Sequence, residues 1–174
     1  MSPQAQSALN PKLQAWFLEY DETHRHPLNR ATHKVAIPLI VFHIVVMTGW
    51  LKLATIGDFT LSLGHLLVLG SLLFYAPLSL KYAALMLAFS SSCLWMGDRL
   101  DHLLGVQTAR VTVIAIAVFG WMVQLAGHAI WEKRSPAFTR NLVQALIGPA
   151  YFLALLFGEW QAPAWIEPDA APAK

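Results

Sequence analysis

The sequence predicts an all-α fold, a polytopic transmembrane helical bundle of four to five spans with an N-terminal interfacial helix. Composition is the first reason: 56% of the 174 residues are hydrophobic and 13% are charged, whereas charged residues make up about 25% of a soluble domain. Because a charge that faces hydrocarbon costs several kcal/mol, a lipid-exposed surface requires such a deficit. The second reason is that apolar stretches close to the ~20 residues needed to span a bilayer recur along the chain.

The length fits a single membrane domain, residues 1–174, in three parts. Residues 1–34 are polar and mixed in charge, and we expect this cytoplasmic or interfacial segment to include a surface helix over 11–25. Residues 35–160 form the expected transmembrane bundle. Residues 161–174 are rich in Ala and Pro, a composition typical of a disordered tail.

Apolar stretches mark the expected spans of the bundle. In chain order they cover residues 35–54, 59–76, 80–96, 108–131 and 142–160. The first four count as spans, and the polar run 97–102 is expected to begin the loop before the fourth. The last stretch contains Gly148-Pro149, which either kinks a spanning helix or marks a re-entrant one. Both forms of this helix therefore stay open.

The distribution of Lys and Arg predicts a cytoplasmic N-terminus. In this orientation the inside segments hold Lys12, Arg25, Arg30, Lys34, Lys81, Lys133, Arg134 and Arg140, and the outside segments hold Lys52, Arg99, Arg110 and Lys174. Cytoplasmic segments carry the excess of basic residues in membrane proteins. Since four spans return the chain to the same face, residues 23–34 and 128–140 are expected to meet at the cytoplasmic surface.

The first group of polar residues suited to catalysis or metal binding lies at 20–33, before the first span. Pro27 disfavours helix at the preceding residue and can start a new one, so we expect a break between two helices there. Each helix carries a pair at i,i+4 spacing on one face: Tyr20 with His24, and Asn29 with His33. The break can fold His24 back towards His33.

The second group lies at the cytoplasmic end of the fourth span. Gln124, His128 and Glu132 are spaced at i, i+4 and i+8 and form one polar stripe. Polar side chains at this depth face the bundle interior and not lipid. Gly127, beside the histidine, allows another helix to approach closely.

Three imidazoles and a carboxylate converging at one membrane face suit a divalent transition metal. Imidazole suits iron or zinc, and open positions on the metal suit oxygen chemistry or metal-assisted hydrolysis. The alternative is interfacial histidines that bond to backbone and headgroups, with Glu132 paired to Lys133 or Arg134. The residues by themselves leave both interpretations open.

The other four histidines are expected to lie outside the metal site. His43, within the first span, is expected to make a polar contact between helices, and His65 to be structural. His26 is expected to be exposed, and His102 to lie on the outer side, away from the other histidines.

Some classes of function are excluded. The net charge of +2, without a long basic run, does not indicate nucleic-acid binding. Cys93 is the single cysteine, so no intrachain disulfide can form.

Together the two groups resemble the Mpo1-like family. The resemblance rests on Tyr20-x3-His24-x2-Pro27-x-Asn29-x3-His33, on Gly120-Trp121-x2-Gln124-x2-Gly127-His128-x3-Glu132-Lys133-Arg134-x-Pro136-Ala137, on Asn141-Leu142-Val143-Gln144 and on Pro149-x-Tyr151-Phe152. Between about residues 48 and 108 only the hydropathy is similar.

The resemblance implies an Fe(II)-dependent dioxygenase of fatty-acid α-oxidation, which uses O2 to shorten a 2-hydroxy fatty acid by one carbon. The family's metal-ligand histidines correspond to His24, His33 and His128, with Fe(2+) as the cofactor. Glu132, in the same motif, is a catalytic candidate that acts as a base, a fourth ligand or an ion-pair partner. Candidates to orient ligands or bind substrate are Tyr20, Asn29, Gln124, Arg25 and Arg134.

The expected partners are a long-chain 2-hydroxy fatty acid, O2 and membrane lipids, and no nucleic acid. The acidic C-terminal tail, without a basic retention-like end, fits a bacterial inner membrane, with the endoplasmic reticulum as the location in a eukaryote. Two rival functions stay open at this point: a zinc-dependent membrane lipid hydrolase, which uses the same ligands, and a non-enzymatic transporter or scaffold.

Overall fold

The computed structural model describes residues 9–139 and 141–162. Most of the tail expected at 161–174, and Arg140 and Lys174 from the charge distribution, lie outside the described residues. The described elements, in chain order, are α1 (Pro11–Glu22), α2 (Pro27–Gly49), β1 (Lys52–Ile56), β2 (Phe59–Ser62), α3 (Leu63–Tyr75), α4 (Leu80–Leu104), α5 (Val106–Gly127), a π-helical turn (His128–Glu132), a 3-10 turn (Ala137–Thr139) and α6 (Val143–Leu156).

The chain is mostly helical, as predicted, but the count of four to five spans is not confirmed. Within the described residues, two helical segments are long and apolar enough to cross a membrane: Pro27–Gly49, and α5 with its π-helical turn, Val106–Glu132. Helices α3 and α6 are apolar but have only 13 and 14 residues, and a span needs about 20. Helix α4 has 25 residues but carries charged residues at both ends, such as Lys81 and Asp98.

A β-hairpin lies where the first predicted span was expected to end and the second to begin. Helix α2 ends at Gly49, before the predicted end at residue 54, and β2 occupies the start of the second predicted span. Strands β1 and β2 pair antiparallel, with Ile56 opposite Phe59, around a turn in which Gly57 has a φ of 60°. Positive φ at a glycine is typical of two-residue hairpin turns. Helix α3 then begins after Ser62, whose backbone N–H donates to Nδ1 of His65 over 3.1 Å. His65 is therefore structural, as predicted.

The polar run at 97–102 is helical and not a loop, contrary to the prediction. Helix α4 continues through it to Leu104 and ends at Gly105, where φ is 77°. Glycine takes this left-handed conformation at little steric cost. His102 is therefore on a helix and is exposed there, while the neighbouring Asp101 lines a cavity together with Trp50, beyond the C-terminal end of α2.

Helix α2 lies at the centre of the fold and contacts α3, α4, α5 and α6. It runs antiparallel to α5, because Asn29 at its start meets Gly127 and Leu39 in its middle meets Gly120. This arrangement brings the first turns of α2 to the last turn of α5. The two groups of polar residues singled out in the sequence therefore meet at one end of the bundle.

Helix α1 packs on α6 through an aromatic core. The side chains of Phe17, Tyr20, Tyr151 and Trp160 are buried there and form edge-to-face or tilted ring contacts. Asp21 accepts hydrogen bonds from the Tyr151 hydroxyl and from Nε1 of Trp160. This packing fixes the end of α1, from which the chain turns towards α2.

Candidate metal centre

The break between α1 and α2 places the first histidine. Helix α1 ends at Glu22, three residues before the predicted end, and α2 begins at Pro27. His26 caps α2, since its Nδ1 accepts from the Leu28 backbone N–H over 3.1 Å. The short connection turns His24 inwards, where its side chain is buried at 1% exposure.

Three buried histidines form the centre of the site, and we call His24, His33 and His128 the histidine cluster. One ring nitrogen from each lies within 4.8 Å of the others. The Nε2 atoms of His33 and His128 are 3.0 Å apart, and the ring of His24 lies edge-on to both. Three candidate metal ligands from three separate helical segments thus lie close together.

Backbone carbonyls orient two of these rings. Nδ1 of His24 lies 2.8 Å from the carbonyl oxygen of Tyr20, and Nδ1 of His33 lies 2.8 Å from that of Asn29. A carbonyl oxygen only accepts, so each Nδ1 carries the hydrogen and each Nε2 keeps its lone pair. A fixed N–H on the far nitrogen is the usual arrangement around metal-bound histidines.

Unpaired ring nitrogens in the histidine cluster fit a metal-binding site. Nε2 of His24 and Nδ1 of His128 are buried and have no hydrogen-bond partner among the described residues. Such unpaired buried atoms are rare in proteins because losing water costs free energy. Burial lowers the pKa of His24 well below its ordinary value, and the neighbouring His33 lowers it further. His24 is therefore neutral, which is the form that binds metals.

The structure places Tyr20 and Asn29 around the cluster. The ring of Tyr20 stacks on His24 with centroids 3.7 Å apart, while its carbonyl holds Nδ1. Asn29 contributes its carbonyl to His33, and its side-chain amide donates to Oε1 of Glu132 over 3.1 Å. Both residues thus support the ligand rings chiefly through their backbone.

Glu132 connects the π-helical turn to the break between α1 and α2. Its Oε1 accepts from the backbone N–H of His26 over 2.8 Å as well as from Asn29. The residues that can share a metal among those described are the three histidines, without Glu132. These contacts favour a positioning role, in which Glu132 holds the two chain segments together.

Substitution of Glu132 separates positioning from proton transfer. Glu132→Gln keeps a carbonyl oxygen that accepts both hydrogen bonds, so we expect it to retain metal and most activity. Glu132→Ala removes both bonds and should weaken metal binding by about 10- to 100-fold. The measurements are metal content after dialysis and turnover of each variant. If Glu132→Gln keeps its metal but loses turnover, the carboxylate is a base.

The remaining predicted site residues lie in different surroundings. Gln124 is buried and lines a cavity beside His24 and His128. Arg25 and Arg134, predicted to attract a carboxylate, are exposed, whereas the cluster is buried.

His43 makes the interhelical contact predicted for it. Its Nε2 accepts from Nε1 of Trp121 over 3.2 Å, which links α2 to α5.

Two cavities adjoin the histidine cluster. The small cavity, of about 60 Å³, is lined by His24, His128, Gln124 and Gln144 among others. The apolar groove, of about 630 Å³, runs between α2, α4 and α6, and His33 lines it. Ile37, Val41 and Pro149 line both spaces, so the two cavities are adjacent.

Sequence reasoning assigned no role to Gln144. The signal was available, because an amide within the apolar stretch 142–160 is costly unless it has a partner. The position of Gln144 beside the cluster depends on how α6 packs, which the sequence pattern does not give.

Comparison with known proteins agrees with the motifs. The family model described as "2-hydroxy-palmitic acid dioxygenase Mpo1-like" matches residues 11–160. The 2-hydroxy-palmitic acid dioxygenase MPO1 of Saccharomyces cerevisiae is 29% identical over 138 residues, which cover 79% of this chain and 75% of the yeast protein. No solved structure matches the chain. Since the match includes both histidine-bearing segments and the helices between them, the chain belongs to the Mpo1-like family.

Proposed function

We propose that this protein is an Fe(II)-dependent dioxygenase that shortens long-chain 2-hydroxy fatty acids by one carbon. The observation that carries the proposal is the histidine cluster at the end of a long apolar groove. The family match and the name of the yeast relative support the reaction class.

The histidine cluster supplies the ligands for iron. The Nε2 atoms of His24 and His33 carry the lone pairs that bind a metal, since the carbonyls of Tyr20 and Asn29 hold the opposite nitrogens. Three neutral imidazoles suit a ferrous ion and leave positions for other ligands. Bound Fe(2+) supplies the activation of O2 that cleavage between C1 and C2 requires.

The apolar groove suits the hydrocarbon tail of the substrate. Its volume of about 630 Å³ lies within the range of about 300–1,000 Å³ that is common for ligand pockets. The side chains of Leu85, Met86 and Phe89 from α4 face Phe152 and Leu153 from α6 across it. Because each buried methylene contributes about 0.8 kcal/mol, a long tail gains much from this surface.

The same geometry supports a membrane setting. The histidines lie near the first turns of one candidate span and the last turn of the other, which favours a site at one membrane surface. Large apolar side chains such as Leu73, Val111 and Met122 are exposed on α3 and α5, a surface suited to lipid. We place the site at the cytoplasmic face, with the N-terminus inside, in a bacterial inner membrane.

A zinc-dependent lipid hydrolase is the second candidate. Three histidines with an open position are also a common zinc site, in which the metal supplies an activated water molecule. The small cavity beside His24 and His128 has room for a water.

Metal analysis with an oxygen-uptake assay tests the proposal. We expect protein purified without oxygen to contain stoichiometric iron. On addition of 2-hydroxypalmitate it should consume O2 and form a product one carbon shorter. Chelation of the iron should abolish both, and ferrous iron should restore them. Stoichiometric zinc, with ester or amide hydrolysis and no O2 uptake, would favour the hydrolase.

A further inference from the structure

Two buried amides line the small cavity, and each has at least one polar atom without a hydrogen-bond partner among the described residues. The side chain of Gln144 is 2% exposed and that of Gln124 is 5% exposed. Neither Oε1 nor Nε2 of Gln144 has a hydrogen-bond partner among the described residues, and the same holds for Oε1 of Gln124. A buried polar group without a partner destabilises the fold, so these positions point to a ligand that completes the bonds.

The size of the cavity selects the part of a ligand that fits. The small cavity measures about 60 Å³, against about 630 Å³ for the apolar groove. It is too small for a hydrocarbon tail but has room for a hydroxyl and a carboxylate. Since His24 and His128 line the same space, a head group there lies next to the histidine cluster.

The chemistry of an amide matches a 2-hydroxy acid. The NH2 group donates to a carboxylate oxygen, and the carbonyl oxygen accepts from a hydroxyl. Ile37, Val41 and Pro149 line both the small cavity and the apolar groove. The two spaces are therefore adjacent, as binding of one molecule to both requires.

We infer that Gln144, together with Gln124, binds the carboxylate and the 2-hydroxyl of the fatty acid in the small cavity while the tail lies in the apolar groove. This inference rests on the proposed function, because it names the groups that hold the substrate of that reaction. It makes Gln144 a substrate-binding residue that selects 2-hydroxy acids over unsubstituted acids.

Gln144→Leu is the direct test, because leucine keeps the volume and removes the amide. We expect iron content to stay unchanged and KM for 2-hydroxypalmitate to rise about tenfold, the factor that corresponds to one hydrogen bond. In metal-free protein, the preference for binding 2-hydroxypalmitate over palmitate should fall by a similar factor. The substrate-free variant should melt at the same or a higher temperature, since an unpaired buried amide is removed.

Ser71→Ala is the matched control, because Ser71 on α3 also has a buried hydroxyl without a partner and does not line the cavity. It should leave KM and binding preference unchanged. An active wild-type enzyme with no change in KM or preference in Gln144→Leu would overturn the inference. If wild-type protein binds 2-hydroxypalmitate through Gln144 but does not turn it over, the inference stands and the proposed reaction fails.

Discussion

His33→Ala is expected to lose bound iron and turnover while the protein still folds and inserts into membranes. The side chain supplies one of the three ring nitrogens that lie within 4.8 Å of one another, its Nε2 is 3.0 Å from that of His128, and nothing else in the cluster replaces it. We expect iron affinity to fall at least about 100-fold, which is more than is usual when a residue that hydrogen-bonds to a metal ligand is replaced. Iron quantitation after dialysis, with oxygen uptake on 2-hydroxypalmitate, measures the loss.

His43→Ala is the matched control for this substitution. His43 lies on the same helix, is buried, and places its Nδ1 against the carbonyl four residues earlier, as His33 does. It contacts Trp121 and not the cluster, so its loss should leave iron bound.

His102→Ala should also leave iron content and turnover nearly unchanged. A His33→Ala protein that keeps stoichiometric iron and full activity would remove the metal centre from consideration.

Gly127→Leu is expected to disrupt both the packing of α2 on α5 and the metal centre. A Cβ atom at this position would lie 2.4 Å from Oδ1 of Asn29 and from Oγ1 of Thr32. Asn29 is held by a hydrogen bond to Glu132. The clash is therefore relieved only if the two helices separate or this hydrogen bond breaks. Overpacking of this kind costs about 1–3 kcal/mol, and the displacement also separates His33 from His128. The melting temperature and the iron content should both fall.

Gly70→Ala provides the comparison for a helical glycine in open space. Apart from its chain neighbours and the backbone of its own helix, no atom of the described residues lies within 4 Å of a Cβ added at Gly70, so alanine there should leave iron binding unchanged. Its helix propensity should add about 0.5–1 kcal/mol to stability. Equal effects of the substitutions at Gly127 and Gly70 would show that the close approach of α2 to α5 does not shape the site.

The sequence by itself determined the local features of the site. Pro27 disfavours helix at the preceding residue, and the structure has the break there. The i,i+4 spacing predicted that Tyr20 lies next to His24, and the rings stack. Gly127 predicted a close approach, which the contacts with Asn29 and Thr32 confirm. These inferences succeeded because they depend on backbone geometry over a few residues.

Hydropathy determined that the chain is helical and apolar, but not where each helix ends or how many cross a membrane. The second apolar stretch begins with a strand at Phe59–Ser62 because its backbone pairs with Lys52–Ile56, and hydropathy carries no information on pairing. The polar run at 97–102 stays helical because no proline interrupts it, and its Gly97 lets Val46 approach closely.

Only the tertiary structure decided which distant groups share a space. The meeting of Glu132 with His26, the unpaired amide of Gln144 and the groove beside His33 each depend on how α2, α5 and α6 pack. The physical reason is that side-chain spacing along a helix fixes a face, whereas the partner of that face depends on the packing of all the helices together.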